Sequence, residues 1–325
     1  MQLPAEILAR IFQQLPWRDL KMVVQVCSFW REVGEAPVLW SRGVVCLARG
    51  SQSSLQEVLG RRRMRLARRL RVLDWEHLPE EAVVAVLEHL GLRLLDLRGV
   101  ALSSADAGLL ARLVTGLQGV RLGYSPLAGR QLDAILAGVA GGSGKLRKLK
   151  MCFTDLSRVE PGLLALAVAG LEEVDLSSSQ LTLQQTQAVL RAAGSSSKLR
   201  KVKLAMNDSM SLVRPELLAS AVLNLEQFYI GYSDVSSQQI KAIFSALIEA
   251  TSPKLLKMGY NRLVEFPYER HAIIKDIEKM TNLLSRVKKK FFLSGVDIKL
   301  LISAFNLGYY QITNHQERLL INRID

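Results

Sequence analysis

The stretch LEEVDLSSSQLTLQQTQAVLRAAGSSSKLRKVKL, residues 171–204, contains one complete repeat of this chain and the start of the next. It opens with the frame L-x-x-L-x-L, written LEEVDL, and reaches the same frame again as LRKVKL at residue 199. A polar turn and the run TQAVLRAAG lie between the two frames, and alanine and leucine favour helix in such a run. The stretch therefore predicts a short strand, a turn and a helix that leads to the next parallel strand.

The same frame occurs eight times in the chain, beginning at residues 70, 92, 117, 146, 171, 199, 225 and 255. From residue 92 onward short and long units alternate, so that one short and one long unit together form a double repeat. No single unit can bury its own apolar face, so the units must stack. We predict an α/β fold in which residues 70–262 form a curved leucine-rich-repeat solenoid of about eight repeats. Its concave sheet is expected to be parallel, and the long units resemble the ribonuclease-inhibitor type.

A short polar residue stands three positions after the last frame residue of the central units. Such a side chain can hydrogen-bond backbone groups of neighbouring turns that would otherwise be buried without partners. The residues are Ser125, Thr154, Ser179, Asn207 and Ser233.

Residues 3–40 have a different pattern, in which Leu-Pro steps and pairs of aliphatic residues recur every four positions. This spacing predicts an amphipathic helix with an unusually wide apolar face, followed by a second helix. The segment resembles the F-box, and an F-box followed by such repeats resembles the F-box/leucine-rich-repeat family of ubiquitin-ligase substrate receptors. A small helical cap whose apolar residues are only core is the simpler alternative.

The resemblance implies a function for each part of the chain. Residues 1–45 would bind a Skp-type adaptor and, through it, a cullin scaffold, while the repeats would hold a protein substrate. The ligase activity would belong to the complex, so this chain is expected not to be an enzyme. The resemblance assigns the adaptor contact or its support to ten residues: Leu3, Pro4, Ile7, Leu8, Ile11, Leu15, Pro16, Val26, Trp30 and Trp40.

The net charge of +13 is concentrated in a few segments, and RRRMRLARRLR at 61–71 alone contributes +7. We interpret residues 46–69 as a basic helical linker whose arginine stems lie along the surface. The alternative is a scaffold or nucleic-acid-binding repeat protein that uses the 61–71 cluster. Few aromatic residues interleave these charges, which makes nucleic acid the less favoured partner.

Other classes of protein lack support in the sequence. The four histidines are scattered, and no zinc-ligand spacing, phosphate loop or nucleophile motif is present, so we predict no cofactor and no metal. Three widely spaced cysteines and the lack of a long apolar run favour a cytoplasmic or nuclear protein with reduced thiols and no membrane partner. Residues 263–325 lack the frame; a cap of the array and a poorly ordered tail both stay open for them.

The repeats also predict which side chains face a substrate. Because side chains alternate along a strand, the residue between the last two frame positions should point away from the core. Tyr229, Asp74 and Asp96 occupy that position where an otherwise alternating row of charges is interrupted, so we select them as candidate substrate contacts. By the same alternation, residues two positions beyond the frame should turn inward, namely Phe153, Met206 and Tyr232.

Overall fold

The fold is taken from a computed structural model of the whole chain. The structure describes residues 3–39 except 16, 37 and 38, then 45–47, 68–72, 84, 86, and 92–231 except 143. Beyond residue 231 it describes isolated positions up to 246 and strands at 257–259, 291–294, 310–315 and 318–323. The chain divides into two compact units, Met1–Lys150 and Met151–Asp325.

The first unit begins with three short helices, α1 (Ala5–Phe12), α2 (Trp17–Val26) and α3 (Ser28–Gly34). Pro4 precedes α1, where its missing N–H costs no helical hydrogen bond. The backbone N–H of Trp30 donates to the Cys27 sulfur at 3.4 Å and so caps the start of α3. The Arg31 side chain joins α3 to α2 by donating to the Val24 carbonyl at 3.1 Å.

The described residues of the first unit then form five parallel strands, and each pairs with the next one in chain order. They are β1 (Val45–Leu47), β2 (Arg69–Val72), β3 (Leu94–Asp96), β4 (Gly119–Arg121) and β5 (Lys148–Lys150). Two helices connect the later strands: α4 (Ala107–Gly116) and α5 (Gly129–Gly141).

The second unit continues the same alternation with parallel strands β6 (Glu173–Asp175), β7 (Lys201–Lys203), β8 (Gln227–Tyr229) and β9 (Lys257–Gly259). Its described helices are α6 (Pro161–Ala169), α7 (Leu183–Ser195) and α8 (Pro215–Leu223), with a 3-10 turn at Asp208–Leu212. The α/β leucine-rich-repeat prediction is confirmed. The long units carry helices of 13 residues (α5, α7), whereas the short units carry nine or ten (α4, α6, α8).

The chain after the repeats forms an antiparallel sheet of β10 (Phe291–Ser294), β11 (Tyr310–His315) and β12 (Arg318–Arg323). The strand β12 lies between the other two. The pairing differs from that of the repeats, which agrees with the loss of the frame after residue 262.

The repeat strands begin earlier in the chain than the sequence predicted. The strand β1 at Val45–Leu47 pairs in parallel with β2, and Val45 is the register partner of Leu70. Cys46 and Leu47 on β1 and Arg69 on β2 therefore belong to strands and not to the predicted linker helix. Leu70 packs inward at 2% exposure. Residues 48–67, which hold the rest of the predicted basic linker, lie outside the described part of the chain.

The first predicted frame was also placed too late in the chain. Leu70 pairs with Leu95 and Arg71 with Asp96, so the frame begins at residue 67, and its interval to Leu92 equals that from Leu92 to Leu117. The error arose because Leu70 and Leu73 imitate the start of a frame, whereas residue 67 is alanine. The outward position of this repeat is thus Arg71, and Asp74 lies outside the described residues.

Buried polar side chains hold successive turns together. Ser125 donates to the Leu97 carbonyl at 2.7 Å, and Ser179 donates to the Met151 carbonyl at 2.9 Å. The Asn207 amide donates to the carbonyls of Leu176 and Leu204, both at 3.0 Å. The proposed role of the polar position is therefore observed at Ser125, Ser179, Asn207 and Ser233. Thr154 is buried like these four, but its hydroxyl makes no hydrogen bond.

Three buried glutamines, one in each double repeat, also join neighbouring turns by hydrogen bonds to the backbone. The sequence analysis did not identify them. Gln131, Gln185 and Gln239 are equally spaced along the chain and at most 1% exposed. Each accepts a hydrogen bond from a backbone N–H three residues earlier and donates to carbonyls of the preceding unit. Their recurrence at a fixed interval was the signal that could have revealed them.

Candidate functional site

The N-terminal helices form a small core of their own. Phe12 is 1% exposed, and its ring meets that of Trp30 edge-on, with the centroids 5.3 Å apart and the planes at 65°. The buried members of this core are Leu8, Phe12, Leu20, Val23, Val33 and Leu39. Part of the apolar pattern of residues 3–40 is therefore structural.

Five other large apolar residues described in this segment face solvent. Leu3, Ile7 and Ile11 follow one another every four residues and are 51%, 42% and 46% exposed. Met22 and Val26 show the same spacing on α2 and are each 61% exposed. Large exposed side chains at helical spacing are typical of a surface that a protein partner covers. Met22 was missed because the resemblance assigned only Val26 of α2 to the adaptor contact or its support.

The ten predicted adaptor residues fall into three groups. Leu3, Pro4, Ile7, Ile11 and Val26 are exposed, and we call these five together with Met22 the N-terminal apolar surface. Leu8 is buried at 3%, while Leu15 and Trp30 are half-buried against the small core, so these three support the helices. Pro16 and Trp40 lie outside the described residues.

Oppositely charged side chains on β6 and β7 of the second unit lie beside each other. The Lys201 ammonium lies 3.5 Å from a Glu173 oxygen, and the Lys203 ammonium lies 3.4 Å from an Asp175 oxygen. The register places Asp175 beside Lys203 and Lys203 beside Tyr229, as the repeat pattern predicts. This part of the face is electrically balanced.

Tyr229, the principal candidate for substrate contact, is half-buried at the end of this row. The Lys203 ammonium lies 5.3 Å from the centre of its ring and that of Lys201 lies 6.0 Å away. Both distances fall within the range of a cation–π contact. The lysines thus hold the ring while leaving part of it accessible, and its role in substrate contact stays a prediction.

Phe153 and Met206 do not turn inward as predicted, since each is 44% exposed. The reason is the backbone: φ is +58° at Phe153 and +55° at Met206. A residue in this left-handed region breaks the alternation of a strand, so a side chain that should point to the core points to solvent. Tyr124 has φ of +60° and is 56% exposed for the same reason. Tyr232 lies outside the residues that the structure describes.

The first unit has a cluster of three arginines around one carboxylate. Arg71 Nε donates to Asp96 Oδ2 at 3.1 Å, and Arg98 donates through Nε and Nη2 to both carboxylate oxygens at 2.9 Å. Arg121 Nη1 lies 3.5 Å from Oδ2. Asp96 is only 7% exposed, which makes it a poor direct contact for a substrate. The outward strand position was predicted to be acidic at Asp96, but Arg71, Arg98 and Arg121 surround that carboxylate and make the surface basic.

The charge of Asp96 is stabilised by its neighbours. Burial raises the pKa of this carboxyl, but hydrogen bonds from Arg98 and the charges of Arg98 and Arg121 outweigh it. The net effect holds the pKa of Asp96 below its ordinary value, so the carboxylate is ionised near neutral pH.

Comparison with known families shows that the F-box-like family model matches residues 1–45. Among solved structures, the chain is similar to the leucine-rich repeat-containing protein LegL7 from Legionella pneumophila. That likeness has a TM-score of 0.51 at 14% identity and covers 81% of this chain and 87% of that chain. No curated protein matches the sequence. The chain therefore combines an F-box-like segment at residues 1–45 with a leucine-rich-repeat fold.

The F-box-like segment thus contains both the small N-terminal core and the N-terminal apolar surface. The leucine-rich repeats carry the balanced row around Tyr229 and the basic cluster around Asp96. No helix in the described part of the chain is long and apolar enough to cross a membrane. The described residues also contain no group of three or more His, Cys, Asp or Glu side chains placed to hold a metal ion.

Proposed function

We propose that this chain is the substrate-recognition subunit of a Skp–cullin–F-box ubiquitin ligase. In this proposal the F-box-like segment binds the Skp-type adaptor, and the repeats bind the protein to be ubiquitinated. The chain itself performs no chemistry, because the ubiquitin-conjugating enzyme is recruited by the cullin.

The N-terminal apolar surface is the observation that carries this proposal. It lies within the residues matched by the F-box-like model, and its members are exposed although the same helices already have a packed core. Ile7 and Ile11 do not contribute to the packing of α1, since Leu8 and Phe12 are the residues of this helix that are buried in the small core. A partner that covers Ile7 and Ile11 would remove their apolar area from water.

The test replaces Ile7 and Ile11 together by serine and measures capture of a purified Skp-type adaptor. Burial of two such side chains contributes about 3 kcal/mol, so adaptor affinity should fall about 100-fold. The matched control replaces Leu166 and Leu212 by serine, because these are 67% and 66% exposed but lie in the repeats. Unchanged adaptor binding in the Ile7/Ile11 variant, with its helices intact by circular dichroism, would contradict the proposal.

A second experiment addresses the complex and its substrate. The intact chain is purified from cells in which degradation is blocked, and the associated proteins are identified by mass spectrometry. The adaptor and a cullin should appear with the unchanged chain and disappear with the Ile7/Ile11 variant. Proteins that remain with that variant are candidates for substrates held by the repeats.

A further inference from the structure

We propose that the cluster of Arg71, Arg98 and Arg121 around Asp96, here called the arginine cluster, binds an anionic segment of a protein partner. The anionic groups are carboxylate or phosphate oxygens carried by an extended stretch of that partner. The inference goes beyond adaptor binding because it names the chemistry that the repeats recognise. It rests on the proposed function only in identifying the partner as a ligase substrate.

The first step is the arithmetic of charge. Arg98 already binds both oxygens of the one ionised carboxylate, and Arg71 and Arg121 add two further positive charges beside it. The second unit offers a comparison on equivalent strands, where acidic and basic residues alternate, with Glu173 beside Lys201 and Asp175 beside Lys203. A purely structural pairing would need one arginine at Asp96, so the surplus points to an anion from outside.

The second step is geometry. Arg71 and Arg121 stand on either side of Asp96 in the strand register, on β2 and β4. Each guanidinium has five N–H donors, and a carboxylate offers about four acceptor sites, so Asp96 cannot use all of the donors around it. The side chains of Arg71 and Arg121 are 35% and 45% exposed, which leaves donors open to solvent.

The third step is pre-organisation. Asp96 is fixed on β3 and holds the three planar groups together, so an incoming anion does not have to order them. Arginine forks match carboxylate and phosphate in a bidentate geometry, whereas the lysines of the second unit act as point charges. Asp96 is therefore a positioning residue, and the arginines make the contact.

The size of the arginine cluster favours a peptide over a nucleic acid. Neighbouring strands are about 4.8 Å apart, so the cluster spans about 10 Å, the length of roughly three extended residues. Single-stranded nucleic acid needs a longer basic track with several aromatic rings that stack on the bases. Among the outward strand residues described in β2 to β5 there is no aromatic side chain, and Tyr124 lies beyond the end of β4.

The experiment measures binding of short fluorescent peptides to the full chain by fluorescence anisotropy. The probes are a peptide of alternating glutamate and serine, its phosphoserine form, and a neutral peptide of alternating glutamine and serine. The test variant is R71Q/R121Q, which leaves Asp96 with Arg98. The matched control is K201Q/K203Q, which removes the same charge from the balanced strands of the second unit.

At least one anionic peptide should bind the unchanged chain about 10-fold more tightly than the neutral peptide, since hydrogen bonds to charged groups are the strong ones. The R71Q/R121Q variant should lose about 10-fold or more of that affinity, whereas K201Q/K203Q should stay within about twofold. The stronger of the two anionic peptides distinguishes carboxylate from phosphate. If R71Q/R121Q fails to fold, the comparison of charged and neutral peptides on the unchanged chain still tests whether the chain prefers an anionic segment.

Equal binding of the neutral and anionic peptides would overturn the inference, as would equal losses in both double variants. Tighter binding of a short oligothymidylate through the same arginines would overturn it in favour of nucleic acid. The Ile7/Ile11 serine variant separates the two proposals, because it should keep its peptide affinity while losing the adaptor. Peptide binding by a chain that never binds the adaptor would contradict the ligase role and leave the anion site standing.

Discussion

The replacement of Gln185 by leucine tests whether the buried glutamines hold the double repeats together. Gln185 is 1% exposed, and its amide donates to the carbonyls of Leu156 at 2.7 Å and Val159 at 2.6 Å. Its oxygen accepts from the Thr182 N–H at 2.8 Å. Leucine has a similar volume, so the main effect is the loss of these three hydrogen bonds with little new cavity.

The expected loss of stability depends on which hydrogen bonds each backbone group retains in the variant. The Leu156 carbonyl still accepts from the Val159 N–H at 2.9 Å, so loss of its hydrogen bond from the Gln185 amide costs about 0.5–1.5 kcal/mol. The Val159 carbonyl and the Thr182 N–H lose the partner that the glutamine supplied, at about 1–3 kcal/mol each. Partial relaxation of the turn keeps the sum near the lower end, and we expect a destabilisation of about 3–5 kcal/mol.

The assay is urea unfolding followed by circular dichroism, with hydrogen exchange to locate the weakened region. The matched control is Gln184→Leu, because Gln184 is exposed on the same turn of α7. Exchange should accelerate first at the turn formed by residues 156–159 and at the start of α7. A stability within about 0.5 kcal/mol of the control would refute the role assigned to the buried glutamines.

Three further outcomes follow from the site. Leu8→Ala should destabilise the N-terminal helices by about 2–5 kcal/mol in thermal unfolding of the chain, because Leu8 is buried. Ile7→Ala should cost less than about 1 kcal/mol, because Ile7 is exposed. Equal costs would contradict the division between core and surface. The pKa of Asp96 is lowered in the folded state, so its contribution is present above its unfolded value near 4 and is lost as the pH falls through the lower folded pKa. The Asp96→Asn variant should therefore show a smaller decrease in stability on acidification than the unchanged chain, and identical acid titrations would contradict this. Tyr229→Ala should weaken capture of the best co-purifying candidate more than Asp175→Ala does, and the reverse order would place the contact elsewhere.

The sequence by itself determined the repeat and most of its register. Seven of the eight frames, from Leu92 to Leu255, predicted strands that begin two positions after the start of the frame. It also predicted the buried polar position after the frames of the five central units and the amphipathic helices of residues 3–40. These features are readable because they depend on a local period of two or of about 3.6 residues and on side-chain types that recur.

Tertiary structure alone decided which apolar residues of the F-box-like segment are core. Leu8 and Ile7 are adjacent and chemically alike, yet one is buried and the other is exposed because α2 and α3 pack on only one stripe of α1. The same holds for the first frame, where Leu70 takes its place from pairing with Val45 and Leu95 and not from its own neighbours. Register is a property of two strands, so one strand's sequence cannot fix it.

The orientation of the side chains after each strand also depended on contacts between repeats. Phe153 N–H donates to the Ser177 carbonyl at 2.9 Å, and Met206 N–H donates to the Gly231 carbonyl at 3.0 Å. These bonds to the next turn accompany the left-handed backbone at Phe153 and Met206, which turns both side chains outward. A local alternation rule cannot anticipate them, because the carbonyls that accept the bonds belong to the following repeat. The arginine cluster was hidden for the same reason: Arg71, Asp96 and Arg121 belong to three successive repeats and meet only when their strands pair.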